Sequence, residues 1–269
     1  MGPVLSVTIL GSGSSGNCAL VETPTSRVLV DGGLSARQMT TRLASVGVQP
    51  ADIDAILITH EHCDHVQGLR VFCKKIEVPL YCTRLTAEVL RKAELAEYRG
   101  EIRQFAPGAE FAIKDLGVQA FSVPHDAVDP VGFVFRHGNE SLGFLTDLGM
   151  CTRLAMERVR GVQTLVIETN HDEKMLQNDP RRPWSLKQRI MSRHGHLSNT
   201  AAAVVVGELA GHGLRRAVLG HLSRDCNSPE LALNEVRSRI TTVAGGETTA
   251  IELFCASQTE VSPRFAVAC

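Results

Sequence analysis

Apolar runs that alternate with polar positions, or run unbroken through β-branched residues, dominate the first third of the chain. They predict strands over 4–10, 18–23 and 27–31, the last two joined by the turn Pro24-Thr25-Ser26. A helix is expected from Ser35, a good N-cap, to Val46, with Gly47 placed as its C-cap. Strand 55–59 leads into a histidine-rich loop, and helical patterns follow over 66–76 and 84–95. A β-rich block then covers 101–105, 109–113, 117–123, 131–136 and 141–146, with His137-Gly138-Asn139-Glu140 as a hairpin turn. Beyond it come helix 152–160, strand 164–167, a polar loop of about fifteen residues, helices 184–193 and 199–210, strand 216–219, helix 228–240 and strand 248–255. No linker, low-complexity tract or repeat interrupts this order. One α/β domain is expected over 1–255, followed by a loose tail over 256–269.

Composition narrows the function classes more than the fold. The 269 residues are 43% hydrophobic and 21% charged, an ordinary globular balance. A formal net charge of −1 gives no global attraction to nucleic acid or membrane, so any polyanion site must be a local patch. Aromatics at 4% count against an extended base-stacking platform. The 8 cysteines are scattered without a C-x-x-C pair, and the N-terminus enters a strand almost at once, so no secretory leader is expected. No apolar run approaches the ~20 residues that span a bilayer. These features predict a soluble cytoplasmic protein with reduced thiols and no membrane partner.

The chemistry concentrates after the apolar run Ala55-Ile56-Leu57-Ile58. His60-Glu61-His62-Cys63-Asp64-His65 packs three histidines and two carboxylates into six positions. In a loop above a strand end, His60 and His62 can point one way while Asp64 and His65 point another. That division supplies two adjacent metal ions and suits metal-assisted hydrolysis. One loop cannot close two coordination spheres, and His125, Asp147 and His221, each just past an apolar strand, are the candidates to complete them. All seven donors are nitrogen or oxygen, which suits two divalent ions, zinc or manganese. Gly11-Ser12-Gly13-Ser14-Ser15-Gly16 formally matches a dinucleotide-binding G-x-G-x-x-G. That motif needs a helix to start at its third glycine, whereas the residues after Asn17 read as a β-hairpin, and no lysine follows to make a P-loop. No nucleotide cofactor is expected. The glycines instead let a loop pass beneath the metal site, with Ser15 and Asn17 in reach of an anion.

Asp31, His60-x-His62-x-Asp64-His65, His125, Asp147 and His221 resemble the five ordered motifs of the metallo-β-lactamase superfamily, from residue 4 to about 254. The resemblance implies a four-layer αββα sandwich with its site at one edge of two sheets. Carried over by position, His60, His62 and His125 hold one ion, Asp64, His65 and His221 the other, and Asp147 bridges them. Asp31 orients the ligand loop from behind. Gly11 to Asn17, Glu168-Thr169-Asn170-His171-Asp172 and Gly195-His196-Leu197-Ser198-Asn199 narrow the resemblance to the YycJ/WalJ-type group, which is linked to DNA exonuclease activity. His196 falls where RNase Z-like phosphodiesterases carry a catalytic histidine. Cys63 stands where this group usually has serine and is expected to face away. The stretch from Asp147 to His221 is too short for the large insert of the β-CASP nucleases.

The expected function is hydrolysis of a phosphodiester, DNA favoured, by a hydroxide bridging the two metals. Asp64 orients that hydroxide and His196 protonates the leaving oxygen, with His171 a further catalytic candidate. His137 and His212 read as surface residues, and His194 as a helix C-terminal cation. Arg181-Arg182-Pro183-Trp184-Ser185-Leu186-Lys187-Gln188-Arg189 reads equally as a solvated face or as a contact for a phosphate backbone. Candidate substrate contacts are Ser15, Asn17, Asn170, Arg181, Arg182 and Ser223. The alternatives are a hydrolase of small phosphodiesters, thioesters or lactones on the same site, and a metal-binding carrier without turnover. A flavo-diiron redox role would replace the second and fourth loop ligands, whereas His62 and His65 are intact.

Overall fold

In the computed structural model, which describes residues 5–93, 95–243 and 251–267, two seven-stranded sheets stack face to face with helices outside each. The N-terminal half builds β1 (Ser6–Gly11), β2 (Cys18–Glu22), β3 (Arg27–Val30), β4 (Ala55–Leu57), β5 (Leu80–Thr83) and β6 (Ile102–Phe105). Its helices are α1 (Ala36–Ser45), the one-turn pieces α2 (Cys63–Val66) and α3 (Leu69–Phe72), and α4 (Arg84–Lys92). The second sheet holds β7 (Glu110–Ile113), β8 (Leu116–Ser122), β9 (Val131–His137), β10 (Glu140–Leu145), β11 (Thr164–Glu168), β12 (Arg216–Gly220) and β13 (Glu252–Cys255). Between and after these strands come α5 (Arg153–Val159), α6 (Glu173–Asn178), α7 (Trp184–Ile190), α8 (Asn199–Ala210) and α9 (Pro229–Val243). A last strand, β14 (Phe265–Ala266), returns to the first sheet beside β1.

The strands are apolar on both faces because both faces are covered, and their period of two sorts residues between cores. Val28 and Val30 point between the sheets with Val118, Phe133, Phe144 and Val218. Leu29 and Ile56 point outward onto Met39, Leu43, Leu69 and Leu90 of the first helical layer. Leu165, Ile167 and Leu219 point outward onto Val159, Val206 and Val236 of the second. Four layers, αββα, follow. Within each sheet the later strands run parallel: β3 to β6 in the first, β10 to β13 in the second. Their carboxyl ends are where an open α/β sheet presents a binding crevice.

Most expected elements stand within a residue or two of their predicted bounds. The Ser35 side chain caps α1 and exchanges bonds with Gln38, and Gly47 takes φ +77° just past the helix. Four departures have physical causes. The helix expected over 66–76 is two single turns, because Gly68 lies so close to the loop after β3 that a Cβ there would stand 1.9 Å from the Leu34 carbonyl oxygen. Strand β5 is four residues behind Pro79, too short to register as a pattern, and exists by pairing with β4. The polar loop after residue 167 contains α6, capped by the Asp172 side chain. Of the strand expected over 248–255, β13 takes the end, and 248–250 lie outside the described residues.

The tail expected over 256–269 departs as well, docked through Val267 rather than loose. Ser6 pairs with Ala266 and Val7 with Phe265. The Phe265 ring packs edge-on to Phe254 at 5.0 Å and lies beneath the Arg216 guanidinium at 5.0 Å. Phe265→Ala should therefore cost about 3 kcal/mol, the low end for a buried aromatic. At roughly 2–4 °C per kcal/mol that lowers Tm by about 6–12 °C. Calorimetry showing no change in Tm would restore the loose tail.

Candidate metal centre

Strand ends from both sheets converge on one spot, and the chain turns sharply there. Among the described residues four non-glycine positions have positive φ, and three belong to this spot: Asp31 (+62°) after β3, Asp147 (+54°) after β10 and His221 (+53°) after β12. Each such conformation costs on the order of 1–3 kcal/mol and persists only where its surroundings dictate it. Asp and His tolerate the left-handed region better than most side chains.

The loop after β4 is clamped by backbone bonds on both sides. The Asn17 N–H donates to the Asp64 carbonyl at 2.7 Å, and the Gly32 N–H donates to that of His65 at 2.7 Å. Gly33 is required here, since a Cβ on it would stand 1.7 Å from the Asp64 carbonyl oxygen. The glycine-rich run 11–17 joins the antiparallel strands β1 and β2, not a strand and a helix. It delivers the Asn17 amide to His65 (3.1 Å) and Asp64 (3.3 Å), so Asn17, buried, braces the loop.

Donor atoms gather as the spacing predicts. His60, His62 and His125 each offer a nitrogen within 4.8 Å of the others, as do Asp64, His65 and His221 with their donors, and His60, His65 and Asp147 link the two groups. His62 Nδ1 and His125 Nε2 are 3.2 Å apart. Two nitrogens at about 2.0–2.1 Å from one tetrahedral ion stand at about that separation. The imidazoles are held from behind, which fixes the nitrogen each turns inward. His125 Nδ1–H donates to the Gly195 carbonyl at 3.0 Å, and His65 Nδ1–H donates to Asp31 Oδ2 at 2.7 Å. Asp31 Oδ1 in turn accepts the Thr59 N–H at 2.8 Å. His60 Nε2 is fully buried and without a hydrogen-bond partner among the described residues. An orphaned imidazole nitrogen among carboxylates is costly unless a cation takes its lone pair. The residues fit a divalent ion.

Charge in the cluster is balanced between acids and imidazoles. Burial and neighbouring imidazoles push His60 far below its ordinary value, and burial lowers His125, so both stay neutral and able to ligate. Burial alone would raise Asp147, but His221 and His65 hold it well below the carboxylate range. Asp64 is likewise pulled down against burial by hydrogen bonds from His221 and His65.

Glu168, closing β11, is the residue that sequence reasoning left out of the site. It is fully buried, and its Oε1 accepts from His196 Nδ1 and His221 Nδ1, both at 2.7 Å. Its Oε2 accepts the Leu148 N–H (3.1 Å) and the Leu197 N–H (3.2 Å). Burial opposes its charge, yet the two imidazoles hold its pKa at about 2. His196 is raised, as burial is outweighed by Glu168 and Asp147. The signal for Glu168 was present: like Asp147 and His221, it is a polar residue ending an apolar strand.

The other expected site residues divide. The His196 ring lies 5.2 Å from His125 and 5.3 Å from His221, between the two donor groups. His171 is buried, its backbone bridged to Ser198 and its Nδ1 without a hydrogen-bond partner among the described residues. The Asn170 side chain donates to the His221 carbonyl at 3.0 Å and so braces that turn. Ser15 and Ser223 line a cleft beside the centre, and Cys63 is exposed and outside the cluster. Arg181 and Arg182 are not free. Both pair with Asp179 and Asp225, and Arg182 also reaches Cys226 Sγ at 3.3 Å. Lys187 is buried, donating to the Gln177 carbonyl, and Arg189 pairs with Asp126. The cluster reads as basic in sequence because the acids that neutralise it lie on other segments. Trp184 is 59% exposed. No helix of the described residues is long and apolar enough to cross a membrane.

Residues 26–222 match the family described as the beta-lactamase superfamily domain, and with this fold and donor set the chain belongs to the metallo-β-lactamase superfamily of metal-dependent hydrolases. It is 38% identical over 230 residues, 84% of each chain, to exodeoxyribonuclease WalJ of Streptococcus pneumoniae. To exodeoxyribonuclease YycJ of Bacillus anthracis it is 34% identical over 228 residues, 85% of this chain and 86% of that one. Within the superfamily it therefore stands in the YycJ/WalJ-type group. The crystal structure of the metallo-β-lactamase fold protein YhfI from Bacillus subtilis shares the fold with a TM-score of 0.71 at 17% identity, over 96% of this chain and 99% of that one.

The tied arginines give a prediction. Arg182→Ala leaves the Asp179 carboxylate, 4% exposed, short of a partner and should lower Tm by several degrees. The slope of log DNA affinity against log salt should hardly move, because that charge is already neutralised. A stable variant with a flatter slope would return Arg182 to the substrate.

Proposed function

We propose that the chain is a binuclear metal-dependent phosphodiesterase acting as a DNA exonuclease. The observation that carries this reading is the convergence of seven nitrogen and oxygen donors beside a half-buried His196 held by the buried Glu168. Relatives that share 38% and 34% identity over most of the chain are exodeoxyribonucleases, which supports DNA as substrate. His60, His62 and His125 are the donors for one ion, and Asp64, His65 and His221 for the other, with Asp147 between. Two such ions, zinc or manganese, would lower the pKa of a bound water toward neutrality and would neutralise charge on the phosphate oxygens.

The residues around them have separate tasks. Asp64, the most open of the carboxylates in the donor set, orients the attacking oxygen. Glu168 accepts the Nδ1–H of His196, which fixes the ring and leaves Nε2 as the atom available to substrate. Its negative charge also favours the protonated imidazole, so His196 holds a proton for the leaving oxygen. That role contributes about 10²–10⁴-fold. One observation favours the small-molecule reading: Arg181 and Arg182, the basic pair nearest in sequence to His196, are spent on Asp179 and Asp225.

Elemental analysis of protein purified without chelator should find about two ions per chain, on the two-metal template. His62→Ala or Asp147→Ala should abolish turnover. Full activity in metal-free, folded protein would end the reading. His196→Ala should lower kcat by about 10²–10⁴ on oligonucleotides and keep its metal. On bis-p-nitrophenyl phosphate, whose leaving group needs little protonation, the loss should shrink to a few-fold. Equal losses on both substrates would make His196 a positioning residue.

A further inference from the structure

Beside the metal centre a cleft of about 850 Å³ opens between the glycine-rich loop and the segment that follows His221. Ser12, Ser14 and Ser15 form one wall, Ser223 and Arg224 another, and Glu260 stands on the C-terminal strap. Its walls are tied to the centre by hydrogen bonds from backbone N–H groups. Ser12 Oγ accepts the His221 N–H at 2.8 Å, and the Ser223 N–H donates to the carbonyl of Asn170, the residue that braces His221, at 2.7 Å. It is also a built feature. Gln258 accepts the Ser15 N–H at 2.9 Å and donates to the Gly16 carbonyl at 2.8 Å, locking the glycine-rich loop to the strap.

Its chemistry selects a ligand class. The volume lies within the roughly 300–1,000 Å³ of ordinary ligand sites. No aromatic residue lines it, so a base has nothing to stack on. The walls offer serine hydroxyls, which serve phosphate and sugar oxygens. Three charged residues line it: Arg42, Arg224 and Glu260. Arg42 is committed to the carbonyls of Leu10 (2.6 Å) and Gln258 (3.0 Å). Arg224 is exposed and makes no hydrogen bond or ion pair among the described residues, unlike Arg181, Arg182 and Arg189.

We propose that this cleft holds the sugar–phosphate backbone of the strand next to the scissile phosphate, with Arg224 on a neighbouring phosphate and the bases turned to solvent. The proposal rests on the nuclease reading and adds to it the grip that the arginine cluster does not supply. Such a grip is independent of base sequence, and the Glu260 carboxylate in the same cleft weakens it.

The test is steady-state hydrolysis of a labelled single-stranded oligonucleotide by the metal-loaded protein, over a range of salt. Arg224→Gln should raise KM about tenfold and flatten the slope of log KM against log salt by about 0.7, one single-strand phosphate contact. Glu260→Gln should lower KM, the opposite sign. Thymidine and mixed-sequence strands should respond alike. The loss for Arg224→Gln on bis-p-nitrophenyl phosphate, too small to reach the cleft, should be about tenfold less than on the strand. If Arg224→Gln tracks wild type on a strand that wild type degrades, the cleft proposal falls and the nuclease stands. Equal losses on strand and small diester mark a structural role and overturn it too. If wild type cleaves the small diester but no oligonucleotide, the nuclease reading fails and takes the cleft with it.

Discussion

Everything at this centre depends on keeping charge buried. Asp31, Asp147 and Glu168 are all essentially shielded from water, and an isolated buried carboxylate is costly by several kcal/mol. Asp31 takes Thr59 and His65, and Glu168 takes His196 and His221. Asp147 stands 2.9 Å from His65 and 3.1 Å from His221, and its Oδ2 has no hydrogen-bond partner among the described residues. Removing one partner strands the other, so the two sheets are tied together by the same contacts that aim the imidazoles. The outlying φ angles of Asp31, Asp147 and His221 belong to this arrangement: the apolar strands fix where the chain arrives, and the turned backbone points the side chain inward.

Much of this was legible because it is local. The order of apolar strands and amphipathic helices shows one α/β domain, and its αββα layering is what the resemblance to the metallo-β-lactamase superfamily implies. The donors show because a strand that ends in a polar, metal-ligating residue is a local pattern. His60, His62, Asp64, His65, His125, Asp147 and His221 share it, and the structure brings all seven together. Glu168 shares it as well, but its part is visible only once His196 and His221 are seen on one oxygen. Strand β5 and the docked tail were hidden for a related reason. Both are short segments whose structure comes from the partner strand, through pairing of Leu80 with Ile56 and of Phe265 with Val7.

The arginine cluster shows the opposite case, where a local reading misleads. A run with two adjacent arginines looks like a phosphate site because sequence lists charges without their partners. In the fold, Asp179 and Asp225 close on Arg181 and Arg182 from both sides. Of the two arginines lining the cleft, the one without a partner among the described residues is Arg224, flanked by Ser223 and Asp225, which no charge pattern singles out.

These two facts belong to one mechanism of assembly. Asp225 pairs with Arg181 and Arg182, and Cys226 receives Arg182 as well, so the segment after His221 is held by the cluster. Ser223 Oγ accepts the Cys226 N–H at 3.2 Å, which tightens that segment into a turn. Arg224 sits at its apex, presented to the cleft by neighbours on both sides that are fixed elsewhere. A flexible cation would lose conformational entropy on every phosphate it met, whereas one on a braced turn loses less. The cluster therefore contributes to a phosphate grip without touching a phosphate, by spending its own charge on the scaffold that carries Arg224.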